Sequence, residues 1–146
     1  MSMEERLNTV SMLGQAYSLL GFQIVDGVVG AGYPQKPKYS AVFAQISLDG
    51  SRLTDLAHRA NMTPQSMAEI VDELVETGYV VRRPDPADRR AKLIVLTKRG
   101  RDAVAAGRQT IEGIEDRVTE VLGERGHRDL RRLLTRLLDA DAEHPA

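Results

Sequence analysis

Residues 82–101 form the most strongly charged segment of this 146-residue chain. They carry eight Lys and Arg side chains against two Asp, whereas residues 63–81 carry four acidic side chains and no basic one. A cationic cluster of this density attracts the phosphates of a nucleic acid, although charge alone would equally suit a solvated loop. Because the formal net charge of the chain is only -1, any nucleic-acid contact must be local.

A second candidate site is the helix start at Thr63-Pro64. Threonine caps a helix, and proline fits the first helical position because no amide hydrogen is needed there. The unpaired amide hydrogens and partial positive charge of a helix start suit phosphate. Acids further along, Asp72, Glu73 and Glu76, must point away from DNA for this interpretation to hold. On the same helix, Gln65 can pair with adenine, Ser66 can contact any base, and Glu69 can accept a hydrogen bond from cytosine.

The Thr63 helix is predicted to be the second half of a helix-turn-helix. Residues 53–60 have the apolar spacing of a short helix, and small Ala57 permits close helix crossing. Asn61 tolerates the left-handed conformation that a tight turn requires. The second helix keeps its apolar spacing until Gly78, which ends it.

A β-hairpin is predicted directly after this motif, which makes it a wing. Residues 79–81 and 93–96 are β-branched or aromatic-rich and predict two short strands. The connection over residues 82–92 is predicted to be a long, proline-containing basic loop. Residues 38–99 thus read as one winged helix-turn-helix.

The tip of the wing carries the chemistry suited to a narrow minor groove. Arg89 and Arg90 there would enter an A·T-rich tract, where the negative potential is deepest. Asp88 would hold one guanidinium by a bidentate pair. Ordinary turn chemistry is the alternative role for Asp85 and Asp88. Two further candidate phosphate contacts at predicted helix starts are Arg52 and Lys38.

Long amphipathic helices are predicted at both ends of the chain, over residues 3–29, 100–124 and 127–142, with a short helix over 38–48. Gly123 and Gly126 are expected to separate the last two. Three apolar stripes from both termini are typical of a dimer seam, and an intramolecular core is the alternative. The residues expected at the seam are Leu7, Val10, Ile111, Leu130, Leu133, Leu134 and Leu137.

Composition excludes several classes of function. The chain has no cysteine, and its three histidines lie far apart, so neither a thiolate site nor a histidine metal site is expected. Arginines around Asp85 and Asp88 disfavour a divalent cation there. A Gly-rich phosphate loop and a catalytic triad order are absent from the sequence, so we expect no enzyme and no cofactor. The acidic start and the lack of a long apolar run predict a soluble, cytoplasmic protein.

Residues 53–100, LTDLAHRANMTPQSMAEIVDELVETGYVVRRPDPADRRAKLIVLTKRG, resemble the multiple-antibiotic-resistance regulator (MarR) family of winged-helix transcription factors. The most specific pieces are TPQSM, DPADRR and LTKRG. The resemblance implies a mainly α fold with a small β-hairpin wing. Residues 1–37 and 100–146 would form a helical dimerisation lobe, and residues 38–99 the DNA-binding lobe.

The same resemblance implies a homodimer that binds double-stranded DNA at a palindromic operator, acting as a ligand-responsive repressor. It assigns Asp88 and Arg90 as the key pair of the wing, with Arg89 and Lys92 on phosphates. Glu69 departs from the family, which often has a basic residue there, and this departure leaves the base preference open.

The resemblance also implies a pocket for a small aromatic or phenolic effector near the first two helices. The aromatic residues that would line this pocket are Tyr17, Tyr39 and Phe43, with core packing as the alternative. A rival function for the whole chain is a winged helix used for protein contacts or oligomerisation without specific DNA binding.

Overall fold

The computed structural model describes Ser2, Glu4 and residues 7–143. Its contacts divide the chain into two compact units, residues 1–110 and residues 111–146. Within the part of the chain that is described, no helix is long and apolar enough to cross a membrane. The elements in chain order are α1 (Thr9–Gly30), a 3-10 turn (Pro37–Tyr39), α2 (Ser40–Phe43), β1 (Ser51–Arg52), α3 (Leu53–Arg59), α4 (Pro64–Glu76), β2 (Val80–Asp85), β3 (Asp88–Leu96) and α5 (Lys98–Glu143).

The helix-turn-helix prediction is confirmed in its details. Asn61 between α3 and α4 has φ 54°, and Ala57 is buried where the helices cross. The Met62 backbone N–H donates to the Ala57 carbonyl at 2.8 Å, which closes the turn. The apolar stripe of α4 is buried in the core of the first unit, through Met67, Ile70, Val71 and Leu74.

The wing is longer than predicted and its loop is shorter. The strands β1, β2 and β3 form one antiparallel sheet in the order β1-β3-β2. The expected long loop over 82–92 is wrong, because β2 and β3 remain paired until Asp85 and Asp88 and leave only Pro86-Ala87 as the turn. Pro84 fits because the register shifts between Pro84 and Asp85, at the edge strand.

The two N-terminal helices are shorter than the sequence pattern suggested. Helix α1 begins at Thr9, and the Asn8 side chain caps it by accepting from the Ser11 backbone N–H. Met3, which the pattern placed at the helix start, lies outside the described residues. The predicted 38–48 helix is also wrong in length, because α2 ends at Phe43 and the chain then turns toward β1.

Tyr79, at the end of the turn after α4, joins several parts of the first unit. Its ring is fully buried, stacks edge-on against Phe43 at 5.6 Å and lies under the Arg99 guanidinium. Its hydroxyl donates to the Pro34 carbonyl at 2.6 Å. A Cβ added at Gly100 would collide with the Tyr79 carbonyl, so glycine is required where α5 passes Tyr79.

Helix α5 begins at Lys98, slightly before the predicted start at residue 100, and the Thr97 hydroxyl accepts from the Gly100 backbone N–H at 3.1 Å. Gly123 interrupts the helix with φ 76° and ψ 165°, whereas Gly126 stays helical, so only the first predicted break is present. In the second unit the His127 ring joins the segments on either side of that break. It contacts the Thr119 hydroxyl at 2.8 Å and a Glu115 carboxylate oxygen at 3.0 Å.

Candidate nucleic-acid interface

The first turn of α4 is presented to solvent and is internally ordered. The Thr63 hydroxyl accepts from the Ser66 backbone N–H at 3.1 Å and donates to the Ser66 hydroxyl at 2.9 Å. Pro64 and Gln65 are exposed beside them. The turn therefore offers a capped helix N-terminus and a pre-positioned serine to an anion, with Gln65 projecting from the same turn.

Two of the four acidic side chains in residues 63–81 are paired with cations from neighbouring elements. Arg82 of β2 donates to Asp72 at 2.5 Å. Glu73 accepts from Lys36 and Lys38, which precede α2. Glu69 and Glu76 are exposed and form no salt bridge within the described residues. Pairing thus reduces the repulsion that this helix would otherwise exert on a polyanion.

The wing carries the unpaired positive charge. Arg89 and Arg90 are exposed at the start of β3, one residue past the turn. Successive strand residues point to opposite faces, so Arg90 and Lys92 share one face of the wing and Arg89 projects from the other. The exposed wing cations that form no salt bridge within the described chain are Arg83, Arg89, Arg90 and Lys92.

A carboxylate braces the wing at its turn. Asp85 Oδ2 accepts from Arg52 Nε at 3.0 Å and from Nη2 at 2.8 Å, while its Oδ1 accepts from the Ala87 backbone N–H at 2.9 Å. The Ala87 hydrogen bond and then the Arg52 guanidinium hold the pKa of Asp85 below its ordinary value. This brace ties β1 to the distal end of the hairpin.

The guanidinium partner expected for Asp88 is therefore found at Asp85. Asp88 accepts from the Arg90 backbone N–H at 3.0 Å, which is the turn chemistry weighed as its alternative role. Arg52 and Lys38, expected on phosphates, are engaged by Asp85 and Glu73 in this structure. The sequence pattern did not identify Arg83 as a candidate site residue. In the structure, its pairing with Leu93 places it on the wing together with the other exposed cations.

The expected effector residues separate in the structure. Tyr17 lines a largely apolar cavity of about 310 Å³ along α1. Tyr39 is buried in the core and Phe43 packs against Tyr79, so neither lines that cavity. Within the described residues no group of three His, Asp or Glu side chains is gathered as a metal site would require. Other residues that line the cavity are Ser18, Leu20, Gly21, Phe22, Ile24, Val25, Gln35, Pro37 and Ser40.

The residues expected at a dimer seam are apolar and open in each unit taken by itself. In the first unit Val10 is 79% exposed and Leu7 is 47% exposed. In the second unit Leu137 is 56% exposed, and Leu134 is half-buried. The remaining three, each between 38% and 48% exposed, are Ile111, Leu130 and Leu133.

Comparison with known proteins agrees with this arrangement. Residues 47–92, which span α3, α4 and most of the wing, match the model of the MarR family. The Transcriptional regulator HosA of Escherichia coli O111:H- is 32% identical over 71 residues, covering 49% of this chain and 53% of that protein. The chain thus matches about half the length of this curated relative.

Solved structures match nearly the whole chain. The transcriptional repressor CouR bound to a 23-mer DNA duplex is 27% identical, covers 96% of each chain and superposes with a TM-score of 0.70. CouR from Rhodococcus jostii RHA1 bound to p-coumaroyl-CoA is 23% identical, covers 99% of this chain and 98% of that chain, and has a TM-score of 0.73. With the helix-turn-helix, the wing and these matches in agreement, residues 47–92 form a winged helix-turn-helix of the MarR family, and the chain as a whole has a MarR-like fold.

Proposed function

We propose that this protein is a DNA-binding transcriptional repressor that binds a palindromic operator as a homodimer. The observation that carries the proposal is the joint presentation of an exposed, capped helix N-terminus at Thr63 and a wing with unpaired cations. The first suits base edges and phosphates in the major groove, and the second suits the adjacent minor groove or backbone. CouR, which was solved on DNA, supports the same use of this fold.

In this proposal Gln65, Ser66 and Glu69 face the bases, while Thr63 and Pro64 present the helix start to phosphate. The wing supplies most of the electrostatic attraction through Arg89 and Arg90, with Lys92 and Arg83 on the backbone. Asp88 keeps Arg90 in place through its backbone N–H. Lys38 and Arg52 act indirectly, because each holds a carboxylate of the DNA-binding lobe.

The dimer in this proposal covers the apolar side chains left open on each unit. Residues 1–37 and 100–146 form the dimerisation lobe, and residues 38–99 bind DNA. Exposed leucine, valine and isoleucine side chains on this scale are uncommon on monomers and are typical of subunit interfaces. Two recognition helices in such a dimer should lie about 34–36 Å apart, one turn of the duplex.

The effector of this repressor is a small aromatic or phenolic acid, or a derivative of one, that fills the cavity beside Tyr17. A volume of about 310 Å³ is at the lower end of small-molecule sites. Its lining is mostly apolar, which suits a ring. The p-coumaroyl-CoA bound by CouR supports this ligand class.

Fluorescence anisotropy tests the DNA proposal directly. The full chain is titrated with the intergenic duplex beside its own coding region and with a scrambled duplex of the same composition, at two salt concentrations. Selective binding that weakens with salt is expected, with the size of a dimer on sedimentation. Equal affinity for both duplexes would favour the protein-contact alternative and overturn the proposal.

The effector proposal is tested on the same complex with benzoate, p-coumarate and p-coumaroyl-CoA as probes. At least one of them should release the operator, and Ser18→Trp, placed at the cavity lining, should abolish that response. Asp49→Asn, an exposed loop change away from the cavity, serves as the control variant. Release that survives Ser18→Trp unchanged would place the effector site elsewhere.

A further inference from the structure

Residues 33–40, the strap, connect α1 to α2 and contact both the cavity and the recognition helix α4. Alternate residues of the strap, Gln35 and Pro37, line the cavity, as does Ser40 at its end. The residues between them, Lys36 and Lys38, reach Glu73 of α4. One short segment therefore has the candidate effector site on one side and a DNA-reading element on the other.

Glu73 is the point at which the strap is attached to α4. Its Oε1 accepts from Lys38 Nζ at 2.5 Å, and its Oε2 accepts from the Tyr39 hydroxyl at 2.9 Å and from Lys36 Nζ at 3.5 Å. Tyr39 is only 3% exposed. Both oxygens of one carboxylate thus accept hydrogen bonds from three residues of the strap, which attaches α4 to that segment.

The electrostatics agree with a tightly held carboxylate. The hydrogen bonds from Lys38 and Tyr39 lower the pKa of Glu73 to about 2. Burial, followed by the hydrogen bond to Glu73, raises the pKa of Tyr39 to about 12. The carboxylate is therefore ionised and the phenol protonated throughout the neutral range, so neither group titrates near neutral pH.

A second hydrogen bond attaches the strap near its start, to the residue that follows the turn after α4. The Tyr79 hydroxyl, buried just beyond the end of α4, donates to the Pro34 carbonyl at 2.6 Å. The strap is held at its start by Tyr79 and near its end by Glu73. The strap is thus attached both to α4 itself, at Glu73, and to the residue that begins the chain's path from α4 into the wing, Tyr79.

We propose that Glu73 is a positioning residue for DNA binding, and that the strap passes the filling of the cavity to α4 through this carboxylate. The inference rests on the proposed function for its biological meaning. A surface role for Glu73 as a solubilising charge would be independent of the cavity. The two roles make different predictions for a double-mutant cycle. If Glu73 is only a surface charge, a change at the cavity and a change at Glu73 should have additive effects on DNA binding; if Glu73 couples the cavity to α4, their effects should not be additive.

Gly21 offers a way to fill the cavity without a ligand. It lies in the cavity lining, and a Cβ added there meets no heavy atom within 4 Å. Gly21→Leu places a side chain in this space, and Gly21→Ala controls for the gain in helix propensity. Glu73→Gln keeps the shape and removes the charge, and Glu76→Gln makes the same charge change at an exposed position of α4 outside the cluster.

Operator affinity is measured for Gly21→Leu and Gly21→Ala in the wild-type, Glu73→Gln and Glu76→Gln backgrounds. We expect Gly21→Leu to weaken binding about tenfold relative to Gly21→Ala in the wild-type and Glu76→Gln backgrounds. In the Glu73→Gln background the two glycine variants should bind alike. An equal ratio in all three backgrounds, or no effect of Gly21→Leu in the wild type, would overturn the inference.

Hydrogen exchange provides a readout that does not require DNA. Amides of residues 64–76 should exchange faster in Gly21→Leu than in Gly21→Ala, and this difference should vanish with Glu73→Gln. Lys38→Gln removes one of the donors to the Glu73 carboxylate and should reduce this difference in exchange between the two glycine variants. It replaces Glu73→Gln in the experiment if that variant folds poorly. A wild-type protein without selective DNA binding would refute the proposed function alone, whereas unchanged exchange in α4 would refute the coupling alone.

Discussion

The recognition helix α4 and the wing differ in how far their charges are paired within the chain. Helix α4 buries four apolar side chains, and Asp72 and Glu73 on it are neutralised by cations from other elements. On the wing, Arg82 pairs with Asp72, whereas the arginines nearer the turn, Arg83, Arg89 and Arg90, are exposed and form no salt bridge within the described chain. For the proposed function, we therefore expect the helix to supply rigidity and discrimination and the wing to supply attraction for DNA.

The largest expected effect separates stability from affinity. Leu74 is fully buried in α4, so Leu74→Ala should lower the free energy of unfolding by about 2–5 kcal/mol, because it removes contacts and leaves a cavity. Arg89→Ala combined with Arg90→Ala should leave the unfolding free energy within about 0.5 kcal/mol of the wild type, as expected of exposed sites. Chemical denaturation of both variants provides the measurement. Comparable losses would mean that the wing tip also stabilises the fold.

The same double arginine variant should produce the largest loss of DNA affinity among surface changes. Two lost phosphate contacts would reduce the slope of log affinity against log salt by about 1.8, and binding at moderate salt should fall on the order of tenfold or more. Arg90→Ala alone should change the slope by about one. The control is Arg117→Ala, an exposed cation of the second unit paired with Glu120. An unchanged slope would remove the wing from DNA binding.

A smaller effect should mark the helix as the discriminating element. Gln65 is exposed in the first turn of α4. Gln65→Ala should reduce the preference for the operator over a single-base-pair variant by about 1–3 kcal/mol, with little change in the salt slope. Glu69→Gln separates two contributions at the neighbouring position. Raised affinity for every duplex would identify Glu69 as a repulsive charge, and lost preference at one base pair would identify it as a reader of cytosine.

Local signals predicted the helix-turn-helix and the presence of the wing, but they missed the full length of its strands for a physical reason. Thr63, Pro64 and Asn61 act through backbone geometry within a few residues, so their roles could be recognised in the sequence. The extent of β2 and β3 depends on pairing between strands, and the proline at position 84 has low strand propensity by itself. Strand β1, with two residues, carries no periodic signal at all.

Charge partners were also invisible in the sequence. Lys36 and Lys38 lie 37 and 35 residues from Glu73, and Arg52 lies 33 residues from Asp85. A count of charge by segment treats these lysines and this arginine as available for phosphate. Only the fold shows that they neutralise acids of the DNA-binding lobe, and that the cations left over are concentrated on the wing.

The smallest expected effect concerns acid and the base of the wing. Because the folded-state pKa of Asp85 is below its ordinary value, its pairing stabilises the fold above that ordinary value and is lost as the pH falls through the lowered one. Unfolding free energy measured from neutral pH down into the acid range should therefore decline less steeply in Asp85→Asn than in the wild type. Asp49→Asn, at an exposed loop position without a salt bridge within the described residues, should follow the wild-type curve.

Operator binding at neutral pH should also weaken in Asp85→Asn, since the turn before Arg89 and Arg90 loses its brace from Arg52. A variant with wild-type affinity would show that the unpaired arginines alone, without this brace, are enough to position the wing.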